Sequence, residues 1–397
     1  MSYLTTQFAL PFFDEVHRDL AARLALWAPE QNVDESDDRA ACRQWVRLLG
    51  ADGWLRYCVP AAFGGALDKL DSRALVILRE TLAFHSPLAD FAFAMQGLGS
   101  GAITLAGSPA QQAEYLGAVA RGDKIAAFAL SEPQAGSDVG AMAMTARFEN
   151  GDSKSDGTVV LDGTKTWISN GGIADYYCVF AKTEPALGVR GITAFIVDAS
   201  SKGLDSSAHI AVMAPHPLAT LKFTRCRIPA GSQLGPLNGG FKLAMQTLDI
   251  FRASVAGAAL GMARRALSEA VSYAQRRPMF GQRLADFQLT QAKLGDMAAL
   301  VDAAALLTYR AAWLRDCVGT ATPAQAQAYS AQAAMAKMAA TENAQRVIDM
   351  ALQMHGGLGV MVGTKVESLY RDIRSLRIYE GATEVQQLII GKSVLKG

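Results

Sequence analysis

The 397 residues carry 38 Lys and Arg against 37 Asp and Glu, and no basic run or basic-aromatic stripe occurs, which speaks against nucleic acid or an anionic membrane surface as partner. Half of the chain is hydrophobic and 19% is charged, so it can bury large cores and is long enough for two or three domains of a soluble, globular protein acting on a small or locally bound ligand. Five scattered cysteines (Cys42, Cys58, Cys178, Cys226, Cys317) without a C-x-x-C pair suit buried thiols in a reducing compartment, and five dispersed histidines give no metal site.

The start, "MSYLTTQFALPFFDEVHRDL", lacks the basic and apolar regions of a signal peptide and is acidic too early for a transit peptide. No apolar run reaches the roughly 18 to 20 residues of a membrane span, since "MAALVDAAALLTY" is broken by Asp302. A cytoplasmic protein is expected.

Residues 1–125 have apolar positions at three- and four-residue spacing, as in "EVHRDLAARLALWA" and "ACRQWVRLLGADGW", and predict an N-terminal α-helical domain. From 126 to 233 the texture changes to short β-branched or aromatic runs such as "GTVVLDGTKTWISNG", "YYCVFAKT" and "GITAFIVDA", punctuated by turns such as Asp162-Gly163. A compact central β domain, a barrel or sandwich, follows. Residues 234–397 return to long Ala-, Leu- and Met-rich helices, one with Leu294, Met297 and Val301 on one face and another opening after Pro323. The expected fold class is α+β multidomain, closing with a C-terminal four-helix-bundle domain. Met335 and Met338 read as packing core rather than as a cofactor box.

In the last stretch, "RIYEGATEVQQ", Thr383 and Gln386 have the spacing of a capping box, so a helix should start at Glu384 and run through Leu388, Ile389 and Ile390. Glu380 falls in the turn before it, where a glutamate is by itself usually a solvated charge.

Four further stretches carry chemistry. In "AAFALSEPQAGSD" (126–138) small residues, hydroxyls and Gly136 allow main-chain N–H groups to approach a polar cofactor, although an ordinary Gly-Ser turn has the same composition. In "KTWISNGG" Trp167 offers a flat ring beside the hydroxyl of Ser169, while a lone aromatic in a strand is more often core. In "QRRPMFGQRLADFQ" (275–288) Arg276 and Arg277 enter a turn before Gln288, where a guanidinium can clamp a pyrophosphate or simply face water. The glycine-rich turn "QMHGGLGVMVG" (353–363) is no dinucleotide fingerprint, because no strand precedes it and the G-x-G-x-x-G spacing fails.

Taken in this order with "RIYEG", and with "VPAAFGG" at 59–65, these stretches resemble the acyl-CoA dehydrogenase family over nearly the whole chain. The long motifs "LSEPQAGSD" and "GGLG…YRD…IYEG" are the most specific. The resemblance implies FAD held by Phe128, Leu130, Ser131 and Gly136, with Trp167 and Ser169 on the isoalloxazine ring and Ser137 touching both flavin and acyl thioester. It implies a homotetramer, a dimer of dimers, in which Arg277, Phe280, Gln288, Gln353 and Gly357 reach the FAD of a neighbouring subunit. Ala382 and Glu384 fall at further FAD-facing positions, and Asp249, Phe251, Arg252, Tyr379 and Gly381 at positions lining the acyl pocket.

Glu380 matches the family's catalytic base. The implied reaction is α,β-dehydrogenation of an acyl thioester, on CoA or an acyl-carrier protein, to the 2-enoyl thioester, with Glu380 removing the α-proton and flavin N5 taking the β-hydride. The Glu380 main-chain N–H and a flavin ribitol hydroxyl would steady the thioester oxygen, and electron-transfer flavoprotein would take the electrons. Substrate filling the pocket would desolvate Glu380 and raise its basicity. A flavin oxidase, a monooxygenase or a non-catalytic relative on the same fold is the alternative.

Two stretches depart from the family pattern. "VMAPHPLATLKF" has Ala214 and His216 where Arg and Ser are usual, and "EGATEVQ" has Ala382 and Glu384 where threonine and glutamine are commoner. Some members carry their base before the arginine of an L-x-x-E-R type run. Here that position is Phe251, expected to be an apolar wall of the acyl pocket.

Overall fold

The computed structural model describes residues 7–149, 157–319 and 322–396. In chain order the helices α1 (Glu15–Trp27), α2 (Asp38–Ala51), α3 (Ser72–His85), α4 (Pro87–Ala106) and α5 (Pro109–Arg121) come first. Strands β1 (Ala126–Ala129), β2 (Thr145–Phe148), β3 (Thr158–Ser169), β4 (Tyr176–Lys182), β5 (Ile192–Asp198), β6 (Leu204–His209), β7 (Leu218–Pro229) and β8 (Gln233–Leu234) follow. Helix α6 (Gly240–Arg276) leads through a hairpin of β9 (Pro278–Met279) and β10 (Gln282–Arg283) to α7 (Gln288–Trp313), α8 (Pro323–His355), α9 (Lys365–Leu376) and α10 (Thr383–Val394). The expected succession of helices, strands and helices is present.

Local chemistry sets many of the ends. Ser108 and Gln111 form a reciprocal capping box at α5, which closes on Gly122 in the left-handed region, and Thr322 with Gln325 does the same at the start of α8. Asp37 accepts from the N–H groups of Arg39 and Ala40 at 3.0 Å to start α2. The box expected at Thr383 and Gln386 does not form: α10 begins one residue early, at Thr383, with Ala382 at the N-cap and no side-chain cap.

The chain divides into two compact units. One takes the described residues of 33–70 and 91–248 and holds the large sheet, with order β6-β7-β3-β2-β4-β5-β8 and β1 pairing in parallel with β4. Strands β4 and β5 are buried almost throughout, so both of their faces are covered, and their sequences read as continuous apolar runs rather than alternating ones. The buried amide of Gln96 on α4 donates to Lys124 O and accepts from Ala126 N, both at 2.8 Å, which fixes the entry into β1.

The other unit takes the described residues of 1–32, 71–90 and 249–397. Helix α3 is buried from Ser72 to Ala83, charged residues included, so each charge needs a partner. Arg73 pairs with Asp14 at 2.8 Å and Asp316 at 3.3 Å, while Glu80 pairs with Arg264 at 2.6 Å and accepts from the Tyr309 hydroxyl at 2.8 Å. Gly261 lets α6 approach this helix, because a Cβ there would lie 2.1 Å from Glu80 O.

Two expectations are corrected here. Cys317 is exposed, whereas Cys42, Cys58, Cys178 and Cys226 are buried. The stretch Gln288–Val318 is long and apolar enough by length and composition to cross a membrane, since one charge such as Asp302 is tolerated in a span. In this fold Met297, Val301 and Ala304 form a buried face and Tyr309 is tied to Glu80.

Replacing Gly261 by alanine should lower the urea unfolding midpoint by the equivalent of about 1–3 kcal/mol, the usual cost of overpacking. Gly295→Ala on α7, where nothing lies within 4 Å of the new Cβ, should be neutral or slightly stabilising. Equal midpoints for the two variants would contradict the close approach of α6 to α3.

Candidate active site

Glu380 lies between α9 and α10 in a turn that the backbone alone would not choose. Its φ is +53° and that of Gly381 is +92°, so two consecutive residues are left-handed. A non-glycine residue held there costs on the order of 1–3 kcal/mol and persists only where the surroundings over-determine it. Here Lys337 Nζ on α8 donates to Gly381 O at 2.7 Å, and Gln386 Nε2 donates to Gly381 O at 2.8 Å and Glu380 O at 3.4 Å. The Gln386 amide is therefore spent on the turn and not on a capping box. The Thr383 hydroxyl donates instead to Glu342 Oε1 at 2.6 Å, the carboxylate that also takes Arg377 Nε at 2.8 Å. Gly381 has a second constraint, since a Cβ there would lie 2.3 Å from Gln386 Nε2.

The surroundings of the Glu380 carboxyl are buried and charged. Burial pushes it above the usual glutamate range, Arg79, Lys337 and Arg252 pull it back, and Asp90 adds a smaller upward push. Arg79, 2% exposed, holds Asp90 with Nε at 2.8 Å and Nη2 at 3.0 Å, gives Nη1 to Ser254 Oγ at 3.1 Å, and bonds the Tyr379 hydroxyl. The Ser254 hydroxyl in turn donates a hydrogen bond to Phe251 O at 2.7 Å. Phe251 itself is fully buried, and the next residue, Arg252, pairs through Nη1 with Asp249. Three buried polar atoms of these residues, Glu380 Oε2, Arg252 Nε and Gln386 Oε1, have no protein partner. Three such atoms on neighbouring residues call for a partner from outside the described chain, whether water, ion or ligand.

In the sheet-bearing unit the 126–138 stretch is strapped to β3. Lys165, fully buried, donates to Leu130 O at 3.0 Å and Glu132 Oε1 at 2.8 Å, and Thr166 N donates to Ser131 O at 3.0 Å. Burial brings the Lys165 ammonium down to about 8 against the pull of Glu132. Immediately after, the β3–β7 register breaks between Lys165 and Ile168, and Trp167 turns out at φ +53° with 54% of its surface exposed. It is not core, as a lone strand aromatic usually is. The bulge and the left-handed backbone together aim the indole into solvent, a strained arrangement for a bulky residue. Phe128, Ser131 and Ser169 are half-buried, Leu130 is buried, and Gly136 and Ser137 are exposed, with open space beside Gly136.

A third group is exposed on the unit that holds Glu380. Arg277, Phe280 and Gln288 lie along the α6–α7 connection, Phe280 at φ +48° and 91% exposed, and the Arg277 guanidinium has no partner among the described residues. Gln353 and Gly357, at the end of α8, are also exposed, and the Tyr273 and His355 rings stack at 4.3 Å beside them, drawing the ends of α6 and α8 together. Ala382 is half-buried and Glu384 exposed in the first turn of α10. His216 stacks against Phe91 at 4.6 Å with Nδ1 on Ala214 O at 2.8 Å, and burial depresses its pKa, so a neutral imidazole stands where the family pattern has a hydroxyl.

Sequence reading missed Arg79, Asp90, Lys337, Gln386, Lys165 and Glu132. Several of them interrupt apolar runs, as Lys337 does in "AAMAKMAA", which is a usable signal for a buried and therefore partnered charge. On the sheet-bearing unit the exposed indole, the open backbone at Gly136 and the half-buried hydroxyls suit a planar ring, and on the other unit the Arg277 guanidinium suits an anion.

Helices, one large sheet and helices, with residues of this kind on each unit, define a flavoprotein oxidoreductase scaffold. Models of the N-terminal, middle and C-terminal domains of acyl-CoA dehydrogenases match residues 12–123, 127–226 and 238–395, and the chain belongs to this family of FAD-dependent enzymes. The short-chain specific acyl-CoA dehydrogenase of Homo sapiens mitochondria is 40% identical over 354 residues, 88% of this chain and 82% of that protein. The CarC subunit of the caffeyl-CoA reductase-Etf complex of Acetobacterium woodii is 38% identical over 347 residues, 87% of each. The solved acyl-CoA dehydrogenase of Bacillus anthracis complexed with FAD matches 97% of this chain and 67% of its own, with a TM-score of 0.87 at 29% identity.

Arg79→Met would leave Asp90 buried without its cation, at an expected cost of about 3–5 kcal/mol in urea denaturation. Adding Asp90→Leu should recover a large part of that loss, because no buried charge then lacks a partner. A double variant less stable than the single one would contradict this account of the pair.

Proposed function

We propose that the protein interconverts an acyl thioester and its 2-enoyl thioester, in the direction of α,β-dehydrogenation, with Glu380 as the base. The observation that carries this is the Glu380 carboxyl itself: buried, with one oxygen unpartnered, and held on a strained turn beside two buried cations. A weakly acidic α-proton needs a carboxylate that water does not blunt, and desolvation supplies the basicity while Arg79 and Lys337 oppose neutralisation of the group. The main-chain N–H of Glu380, which has no partner among the described residues, is suited to donate to the thioester oxygen as charge grows there. Phe251 and Tyr379 would close the acyl pocket against water, and Arg252 would steady the substrate through its unpartnered Nε.

FAD, when bound, supplies the two-electron acceptor for the β-hydrogen. Phe128, Leu130, Ser131, Gly136, Ser137, Trp167 and Ser169 would hold its ring, with the Trp167 indole as the exposed wall. In a cytoplasmic homotetramer, Arg277, Phe280, Gln288, Gln353 and Gly357 would meet the FAD of a neighbouring subunit, a role their exposure permits. Ala382 and Glu384 would face the same cofactor without the usual hydroxyl and amide.

Electron-transfer flavoprotein is the proposed redox partner, a reading supported by a relative that works in an Etf complex. That relative is named a reductase, and the same residues serve the reverse direction by microscopic reversibility, Glu380 then returning a proton to the α-carbon. The electron partner would decide the direction.

Glu380→Gln should retain FAD and lose at least about 10²- to 10⁴-fold in anaerobic bleaching by a panel of acyl-CoA thioesters, since the amide cannot take the proton. Activity within a few fold of the parent sinks the assignment. Arg277→Ala should weaken FAD binding to the apoprotein by at least about tenfold, measured by fluorimetric titration, because one charge-assisted hydrogen bond is lost. Unchanged affinity would mark Arg277 as an ordinary surface residue.

A further inference from the structure

Lys337 is 0% exposed, yet the acceptor that its ammonium touches is a backbone carbonyl and not a carboxylate. The anions acting on it, Glu380, Glu342 and Glu384, do so at longer range, and Glu342 is already engaged by Arg377 and Thr383. Burying an ammonium this way is costly, and nothing in the packing of α8 requires it, since the same helix face is built from alanines.

We propose that Lys337 is the positioning residue of the base: its ammonium anchors the Gly381 carbonyl, holds the turn in the left-handed form that presents Glu380, and sets a positive charge in the neighbourhood of the buried carboxyl. The inference rests on Glu380 being the base. Two donors converge on Gly381 O, Lys337 Nζ at 2.7 Å and Gln386 Nε2 at 2.8 Å, and of the two only Lys337 brings a charge. The charged and titratable groups facing Glu380 are Arg79 of α3, Asp90 of α4, Arg252 of α6, Lys337 of α8 and the adjacent Tyr379. Those facing Lys337 are Glu380, Arg252, Glu342 and Glu384. Burial brings the Lys337 ammonium down to about 8, and Glu380 is the largest influence holding it up.

The sign follows from this pairing. A cation beside a carboxylate favours the ionised acid, so removing Lys337 raises the Glu380 pKa, and a base that must be ionised then needs a higher pH to work. Lys337→Gln keeps an N–H for Gly381 O and loses the charge. Lys337→Met loses both.

The test is the pH dependence of anaerobic flavin reduction by an acyl-CoA in the parent, Lys337→Gln and Lys337→Met holoenzymes. The acid limb should move to higher pH by about one unit or more in both variants, the effect expected of one nearby charge. The high-pH plateau should be largely kept in Lys337→Gln and fall at least tenfold in Lys337→Met. A second measurement needs neither turnover nor a lysine variant that folds well: NMR titration of ε-¹³C-lysine in parent and Glu380→Gln holoenzyme. Linkage is reciprocal, so the Lys337 resonance should titrate lower once its anion is gone. Superimposable acid limbs, or a Lys337 titration unmoved by Glu380→Gln, overturn the proposal. An unmoved Lys337 titration in an inactive Glu380→Gln protein leaves the assignment of the base standing, whereas an active Glu380→Gln protein removes both.

Discussion

A guanidinium shut away from water dictates what is built around it. Arg79 has several donors in a fixed fork, and in the interior each must meet an acceptor or forfeit its hydration. Asp90 takes two of them, Ser254 a third and the Tyr379 hydroxyl another, so residues from α3, α4, α6 and the turn before α10 are brought to one point. The Glu380 turn inherits its place from that convergence, because Tyr379 precedes the base directly. A hydrophobic residue at position 79 would leave Asp90 without its cation and Tyr379 without its donor.

Much of the architecture was legible because it depends on local pattern. Period-3.6 runs marked the helices, β-branched runs and Asp162-Gly163 marked the strands, and Pro323 marked the start of α8. Glu380 was placed in the turn before the last helix for the same reason. What escaped was decided at long range. Thr383 and Gln386 have the spacing of a cap, yet Glu342, some forty positions earlier, offers the hydroxyl a charged acceptor, and the Gly381 carbonyl competes successfully for the amide. Lys337 and Gly381 are equally far apart in sequence, and Arg79 meets Asp90 only through the bend between two helices. Trp167 escaped for another reason: a bulge moves one residue out of alternation, and no residue type announces where a register will slip.

The two strained positions, one on each unit, are held in different ways. Around Glu380 the turn is strained and held by side chains reaching in from α8 and α10. Around Trp167 the strain lies in a strand and is held by the sheet, with Lys165 and Thr166 binding the 126–138 stretch just before the bulge. Both solutions follow one rule, that a backbone conformation unfavourable in isolation survives where several bonds converge on it.

The bulge at Trp167 also has an optical consequence. An indole that is 54% exposed emits as a solvent-facing fluorophore, shifted to the red of the tryptophans buried at Trp45 and Trp54. A planar chromophore laid against it would quench that component of the emission most strongly, because quenching falls off with distance. The protein thus carries a native lamp near the end of β3, one that reports occupancy in the dark interval before any catalytic turnover.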